Sequence, residues 1–365
     1  MINRIDTLLN KLKENNLDSI FITSSANVFY LSNYYTDPHE RIIGVFVSQY
    51  EDPVLLLPSM EMEDAKEVGW KYPIIGYHDH ESPWQLLKKH LIKNENLPQS
   101  MGIEKNHLTL ERYQQLKNIL PETDFKDAQD ILANLRVIKN KKEYTLLRQA
   151  AQLADFGVET GIKALQEGVT ELEVIAQIEY ELKKQGVKEM SFSTMALFGK
   201  KTGSPHGTPG LNKLEKGQIV LFDLGVVFEG YCSDITRTVA YHPISEKEET
   251  IYHTVLEANQ KAIKSSEIGV SVKQIDLAAR EYINKADFGD YFNHRVGHGI
   301  GIEAHEYPSL HSENELPLKN GMCFTIEPGI YVPNTGGVRI EDMIFMTEKG
   351  PEILTKTPKE LQIIK

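Results

Sequence analysis

Four carboxylates and one imidazole, most of them set in apolar, strand-like runs, restrict what this chain can fold into more than any other feature. They are Asp223 in Leu221-Phe222-Asp223-Leu224-Gly225, Asp234 in Cys232-Ser233-Asp234-Ile235-Thr236, His298 in Gly297-His298-Gly299-Ile300-Gly301, Glu327 in Thr325-Ile326-Glu327-Pro328-Gly329, and Glu341 in Val338-Arg339-Ile340-Glu341-Asp342. Strand-like apolar runs belong in a core, and ionised carboxylates gathered there need counter-charge. Two divalent cations supply it. An oxygen-rich set with one imidazole suits manganese, cobalt, iron or zinc better than a metal that prefers thiolates.

The runs also predict how the acids meet. Side chains alternate faces along a strand, and the paired strands of a hairpin bring same-face residues together. Gln218 to Phe228 and Tyr231 to Ala240 read as one hairpin turning at Glu229-Gly230. Cys323 to Tyr331 and Gly337 to Met346 read as a second, joined by Pro333-Asn334-Thr335-Gly336. Phe222-Asp223-Leu224-Gly225-Val226 echoes Ile326-Glu327-Pro328-Gly329-Ile330, and each echo is followed by a second strand with an acid, Asp234 or Glu341. Two related hairpins, each donating two carboxylates, are a natural cradle for a pair of ions. His298 lies among glycines, where backbone can approach a ligand closely. A phosphate loop is rejected there, because the glycine pattern lacks the Lys-Ser/Thr and the full dinucleotide spacing. Singly, each acid is more ordinary as a surface or ion-pair residue, and His298 as a structural histidine. The coincidence of all five selects the metal reading. His206, His294 and His305 lie near the set in sequence, and Arg339 shares a strand face with Glu341, as counter-ion or site residue.

The chain has 365 residues, long for one core, so two domains are expected: 1–126 and 127–365. Forty basic against 52 acidic residues give a net charge of −12, which argues against nucleic acid as a partner. Cys232 and Cys323 sit in apolar runs and read as reduced core residues, consistent with a cytoplasmic protein. Met1 to Asn15 is amphipathic and charged, unlike a signal peptide, and no run of about 18 apolar residues marks a membrane span.

In chain order, Ile5, Leu8, Leu9 and Leu12 predict a helix. Strands follow at Ser19 to Thr23, Ile42 to Ser48, Val54 to Leu57 and Met101 to Glu104, interleaved with helices at Met60 to Val68, Trp84 to Leu91 and Leu108 to Leu120. This alternation predicts an α/β domain. The loop Asn33 to Arg41 is its most site-like part, and an exposed polar loop is the simpler reading. Pro121 to Asp127 is polar and turn-rich and marks the boundary. A long helix is expected from Ala128 to Leu165, a second opening at Thr170 with Glu173 as a capping box, and two more at Ser245 with Glu248 and Ser271 with Gln274. A strand is expected at Ser191 to Phe198, before a loop that holds His206.

The five motifs together resemble those of the dinuclear metallopeptidases that include methionine aminopeptidase, aminopeptidase P, prolidase and the metal-free creatinase. The resemblance covers about 130 to 350 strongly. Asn27-Val28-Phe29-Tyr30-Leu31-Ser32 resembles the creatinase/prolidase N-terminal domain more loosely. The resemblance implies an α+β pita-bread catalytic domain after a smaller α/β domain. It implies Asp223 on one metal, His298 and Glu327 on the other, and Asp234 and Glu341 bridging. It implies two divalent ions, manganese first, with cobalt, iron or zinc as alternatives. His206, His294, His305 and Arg339 match positions lining the substrate site of the proline-specific branch, and His206, His305 and Glu327 take catalytic parts. A homodimer is also implied.

The expected activity is cleavage before proline, on Xaa-Pro dipeptides. His305-Glu306-Tyr307-Pro308-Ser309 resembles prolidases, but some carry arginine at the place of Ser309, where it would grip the dipeptide's carboxylate. An Xaa-Pro aminopeptidase acting on longer peptides is therefore the nearest alternative, with Arg41 from a partner subunit as another candidate cation. A non-catalytic peptide-binding homologue and a creatinase-like amidinohydrolase are the others; the intact ligand set weighs against both.

Overall fold

The computed structural model describes residues 2–95 and 97–365. The chain divides into two compact units, Met1–Arg136 and Val137–Lys365.

The first unit runs α1 (Ile2–Glu14), β1 (Ser19–Ile22), α2 (Ser25–Ser32), β2 (Gly44–Ser48), β3 (Val54–Pro58), α3 (Met62–Glu67), β4 (Ile74–Tyr77), α4 (Pro83–Lys93), β5 (Ser100–Ile103), α5 (Leu110–Ile119), β6 (Asp124–Asp127) and α6 (Gln129–Val137). Its six strands form one mixed sheet in the order β4-β3-β2-β1-β5-β6. β1, β2 and β3 are buried at every position, which is why they read as unbroken apolar runs. Ile5, Leu8 and Leu12 bury the apolar face of α1.

Three elements here were not legible. α2 is short and is closed at its start by Ser24, whose side chain accepts from the Asn27 amide, and at its end by Asn33 in the left-handed region. β4 and β6 are edge strands with little burial. The polar stretch taken as a boundary is therefore a strand paired to β5, and the division falls after Arg136 rather than after Lys126.

The second unit runs α7 (Lys141–Lys163), α8 (Glu171–Lys184), β7 (Glu189–Met190), β8 (Met195–Phe198), β9 (Gln218–Leu224), β10 (Val226–Phe228), β11 (Tyr231–Cys232), β12 (Ile235–Tyr241), α9 (Glu246–Lys264), α10 (Val272–Lys285), β13 (Gly297–Gly299), β14 (Glu306–Leu310), β15 (Cys323–Ile326), β16 (Gly329–Val332), β17 (Gly336–Arg339), β18 (Asp342–Thr347), β19 (Gly350–Ile353) and β20 (Ile363–Ile364). The expected long helix is two helices. Asn140 caps α7 in a box with Glu143, the same signal that was read at Thr170 and Glu173. The Ser271 side chain makes no cap to α10, unlike Ser245 at α9.

The unit has two halves of like construction. Ala150, Ala154, Val158, Ile178 and Leu182 of α7 and α8 pack on Phe222, Leu224, Ile235 and Val239. Val255, Ala258, Ile275 and Ala279 of α9 and α10 pack on Phe324, Ile326, Val338 and Ile344. Each helix pair covers one of the two hairpins.

Both hairpins keep a single register through a break. In the first, Asp223 faces Thr236, and beyond the break Val227 faces Cys232; the turn places Glu229 at φ 48 and Gly230 at φ 80. In the second, Ile326 faces Asp342, and beyond the break Gly329 faces Arg339. The breaks fall where the acids are. Pro328 has no amide to give the second ladder. In the first, Gly225 lies so close to the Ser233 carbonyl that a Cβ would collide with it. The register also corrects the internal echo. Asp223 and Glu327 occupy like places, but Thr236 is the counterpart of Glu341, and Asp234 that of Arg339.

Candidate metal centre

Asp223 is supplied by β9. Asp234 follows β11 at the first break, Glu327 follows β15, Glu341 precedes β18, and His298 is the middle residue of β13. Strand breaks thus aim three of the four acids away from the ladders and into one place. Ligand atoms of Asp223, Asp234 and Glu341 lie within 4.8 Å of one another, as do those of His298, Glu327 and Glu341, and those of Asp234, His298 and His305. Glu341 joins the first two groups, and Asp234 joins the first to the third.

Hydrogen bonds orient each group. Thr236 donates to Glu341 Oε2 at 2.7 Å, and Arg339 Nε donates to Thr236 Oγ1 at 3.0 Å. Arg339 also donates to Asp223 Oδ2 at 2.5 Å. His298 Nδ1 lies 3.1 Å from the Gly299 carbonyl, which can only accept, so Nδ1 carries the proton. Nε2 then turns a lone pair towards Glu327 Oε1 at 3.2 Å and Asp234 Oδ2 at 3.6 Å. That is the way a ligating histidine is held by its other nitrogen. The glycines beside His298 serve the protein's own packing. Gly297 meets the Thr325 carbonyl, Gly299 the Tyr307 carbonyl and Gly301 the Glu306 carboxylate, so the expected ligand approach is not what requires them.

The electrostatics are those of like charges crowded together and buried. Burial, and then the charges of Glu341, Asp223 and Glu327, push Asp234 well above the ordinary carboxylate range. Burial, with Glu327 and Asp223 adding, pushes Glu341 up to about 8. Glu327 is pushed up to about 7, chiefly by burial. Burial moves His298 the other way, towards the neutral ring. Asp234 Oδ1 and Glu341 Oε1 are buried and have no hydrogen-bond partner. Orphaned carboxylate oxygens beside an aimed imidazole lone pair fit divalent cations, and the oxygen-rich donor set fits hard or borderline metals.

A cleft of 590 Å³ opens over these residues. His206, His294, His305 and Arg339 all line it. His206 and His305 are exposed, and the His305 ring stands edge-on to His298 with centroids 4.1 Å apart. His294 is locked by two contacts. Its Nδ1 lies 2.8 Å from the Arg295 carbonyl and so donates, leaving Nε2 to accept from the Tyr331 hydroxyl at 3.0 Å. Tyr331 in turn accepts from Arg339 at 2.8 Å. Burial holds His294 neutral, at about 4. Its polar atoms are spent within the protein, so it presents an uncharged wall.

Tyr331, Arg295, Phe192 and Met195 also line the cleft and were not foreseen. Tyr331 was available from strand alternation, which puts it on the face of Glu327 and Gly329. Arg295 lies in an irregular segment with no periodic signal. Its guanidinium donates to Ser309 Oγ at 3.1 Å. Arg41 is engaged within the first unit by Asp79 at 2.9 Å.

Residues 145–348 match metallopeptidase family M24, and residues 4–138 match the creatinase/prolidase N-terminal domain. The chain belongs to metallopeptidase family M24. A putative dipeptidase of Bacillus subtilis is 52% identical to it over 363 residues, with 100% of both chains covered. An Xaa-Pro dipeptidase of Lactobacillus delbrueckii subsp. lactis is 42% identical over 362 residues, covering 99% of this chain and 98% of the relative. The solved structure of an Xaa-Pro dipeptidase from Bacillus anthracis superposes with a TM-score of 0.93 at 33% identity, covering 100% of this chain and 99% of that one. The M24 catalytic unit has the pita-bread architecture and the N-terminal unit the smaller creatinase/prolidase fold, as the motifs implied. The M24 chain is a metal-dependent hydrolase. Among its described residues no helix is long and apolar enough to cross a membrane.

Proposed function

We propose that this metallopeptidase cleaves Xaa-Pro dipeptides, using two divalent cations held by Asp223, Asp234, His298, Glu327 and Glu341. The observation that carries the reading is the pair of donor groups sharing Glu341 at the floor of the cleft, with buried carboxylate oxygens left unsatisfied. Asp223, Asp234 and Glu341 would hold one ion, and His298 and Glu327, with Glu341, the other. When bound, such ions activate water at neutral pH and polarise a carbonyl oxygen. Manganese is the first choice, with cobalt, iron and zinc the alternatives. A homodimer in the cytoplasm is the setting proposed with it.

The chain's own groups do the rest. Glu327 borders the cleft and takes the proton of the attacking water to the leaving nitrogen. A proline nitrogen is tertiary in the peptide and leaves only when protonated. His305 and His206, exposed at the cleft wall, donate hydrogen bonds to the developing oxyanion. His294, neutral and fixed, and Arg339, held by Asp223 and Tyr331, shape the pocket for the leaving residue.

The dipeptidase form is favoured by Arg295. It lines the cleft, with its guanidinium held by Ser309 Oγ, and a free substrate carboxylate needs a cation there. Names borne by a relative and a solved structure agree with this form. The test is hydrolysis of Ala-Pro beside an alanine-proline tripeptide, with metal content measured on protein purified without chelator. Ala-Pro should be cut, chelator should stop the reaction, and Asp234→Asn should abolish it. Cleavage of the tripeptide alone would make the protein an aminopeptidase. No turnover of any Xaa-Pro peptide with metal added would make it a binding protein.

A further inference from the structure

We infer that Lys139 is a positioning residue for the reaction, acting through Glu306 on the loop that carries His305; the inference rests on the peptidase reading above. Lys139 and Glu306 form an ion pair of 3.2 Å whose side chains are 2% and 4% exposed. Removing two charges from water is costly, so an ion pair this deep is weak evidence of stability alone. Its geometry points to another use. Glu306 divides its two oxygens. Oε2 faces Lys139 Nζ, while Oε1 accepts the amides of Ile302 at 2.7 Å and Glu303 at 3.1 Å. One carboxylate thus ties down the turn that precedes His305, from the residue that follows it.

The same turn is held from its other side by Cys232. The Cys232 amide donates to the Gly301 carbonyl at 2.7 Å, and its thiol lies 3.2 Å from the Ile302 carbonyl. The His305 ring stands over His298 and is itself exposed. Its aim is set by this backbone. Lys139 is fixed independently, because its amide donates to the Gly321 carbonyl at 2.8 Å and Ile138 bridges Met322. It stands between α6 and α7, lines no part of the cleft, and reaches the chemistry only through Glu306.

The test uses manganese-loaded full-length protein and five variants: Lys139→Met, Lys139→Arg, Glu306→Gln, the double variant of Lys139→Met with Glu306→Gln, and Lys141→Met as an exposed neighbouring control. Rates on Ala-Pro are read with hydrogen exchange at the Ile302 and Glu303 amides and with metal content. Lys139→Met and Glu306→Gln should each lower kcat about 10- to 100-fold, the scale of a misplaced catalytic group, with KM changed less than about threefold. Exchange at both amides should quicken, metal content should hold, and Lys139→Arg should restore most of the rate. The double variant should be no slower than the slower single one. Wild-type kcat in Lys139→Met overturns the inference, as does a lost rate with unchanged exchange. If Lys139→Met does not fold, Glu306→Gln carries the same test. If the wild type cuts no peptide, the peptidase reading falls, while the exchange data still decide whether Lys139 anchors the loop.

Discussion

Arg237 is 2% exposed, directly behind the centre. It donates to Asp342 Oδ1 at 2.7 Å, to the Thr236 carbonyl at 3.0 Å, to the Thr357 carbonyl at 2.9 Å, and to the Glu341 carbonyl. Burial alone would raise Asp342, but Arg237 and Lys359 outweigh it and hold the acid down at about 2. Arg237 therefore pins the backbone of one acid of the proposed metal set. Arg237→Met is expected to destabilise the chelator-treated protein by about 3–5 kcal/mol in urea, the usual loss on breaking a buried pair. It should also weaken manganese binding about 10- to 100-fold by calorimetry, as loss of a group that supports a ligand does. Wild-type affinity in the folded variant would refute that second part. At this scale the sequence was most informative about groups that are costly to bury. Asp223, Asp234, His298, Glu327 and Glu341 announced themselves because carboxylates in apolar runs demand a reason. Thr236 is an ordinary strand residue, and its part depends on cross-strand geometry that no single run contains.

The hairpins place the acids by being interrupted. A continuous ladder would have pointed neighbouring side chains to opposite faces; the breaks at Gly225 and at Glu327-Pro328 leave room for both members of a pair to converge. Gly225→Ala drives a methyl into the Ser233 carbonyl, which the backbone can relieve only by moving the segment that bears Asp234. Such overpacking is expected to cost about 1–3 kcal/mol. Metal content of the purified variant should fall with it. Full metal occupancy at wild-type stability would show that the close approach is not needed. The hairpins, their turns and two of the three expected caps were legible, because turn and capping residues carry their own local signals. The splitting of the long helix at Ile138 to Asn140 was not read, although Asn140 and Glu143 held the signal. The edge strands β4 and β6 were missed because half-exposed strands lose their apolar alternation.

Taken whole, the catalytic unit gathers acids whose like charge protons or cations relieve. In metal-free protein, Glu341 and Glu327 keep protons up to about 8 and about 7, whereas in the unfolded chain they release them near 4.5. The folded state then binds more protons than the unfolded one, so stability is greatest in acid and is lost as pH rises through those values. The denaturation midpoint of chelated protein should fall between about pH 4.5 and 8, and Glu341→Gln should flatten that slope. Manganese should remove most of it, because ligands bound to a metal are already deprotonated. The same pH dependence with and without metal would count against the cage. The division into units was legible in kind, from length and from the change in pattern, but its position was not, since a polar edge strand looks like a linker. The donors, finally, are drawn from widely separated parts of the chain, and Glu341 completes both groups. While a ribosome is still making the segments after His298, the nascent protein has its first hairpin but no finished cage. A peptidase built in this way stays silent through most of its own synthesis.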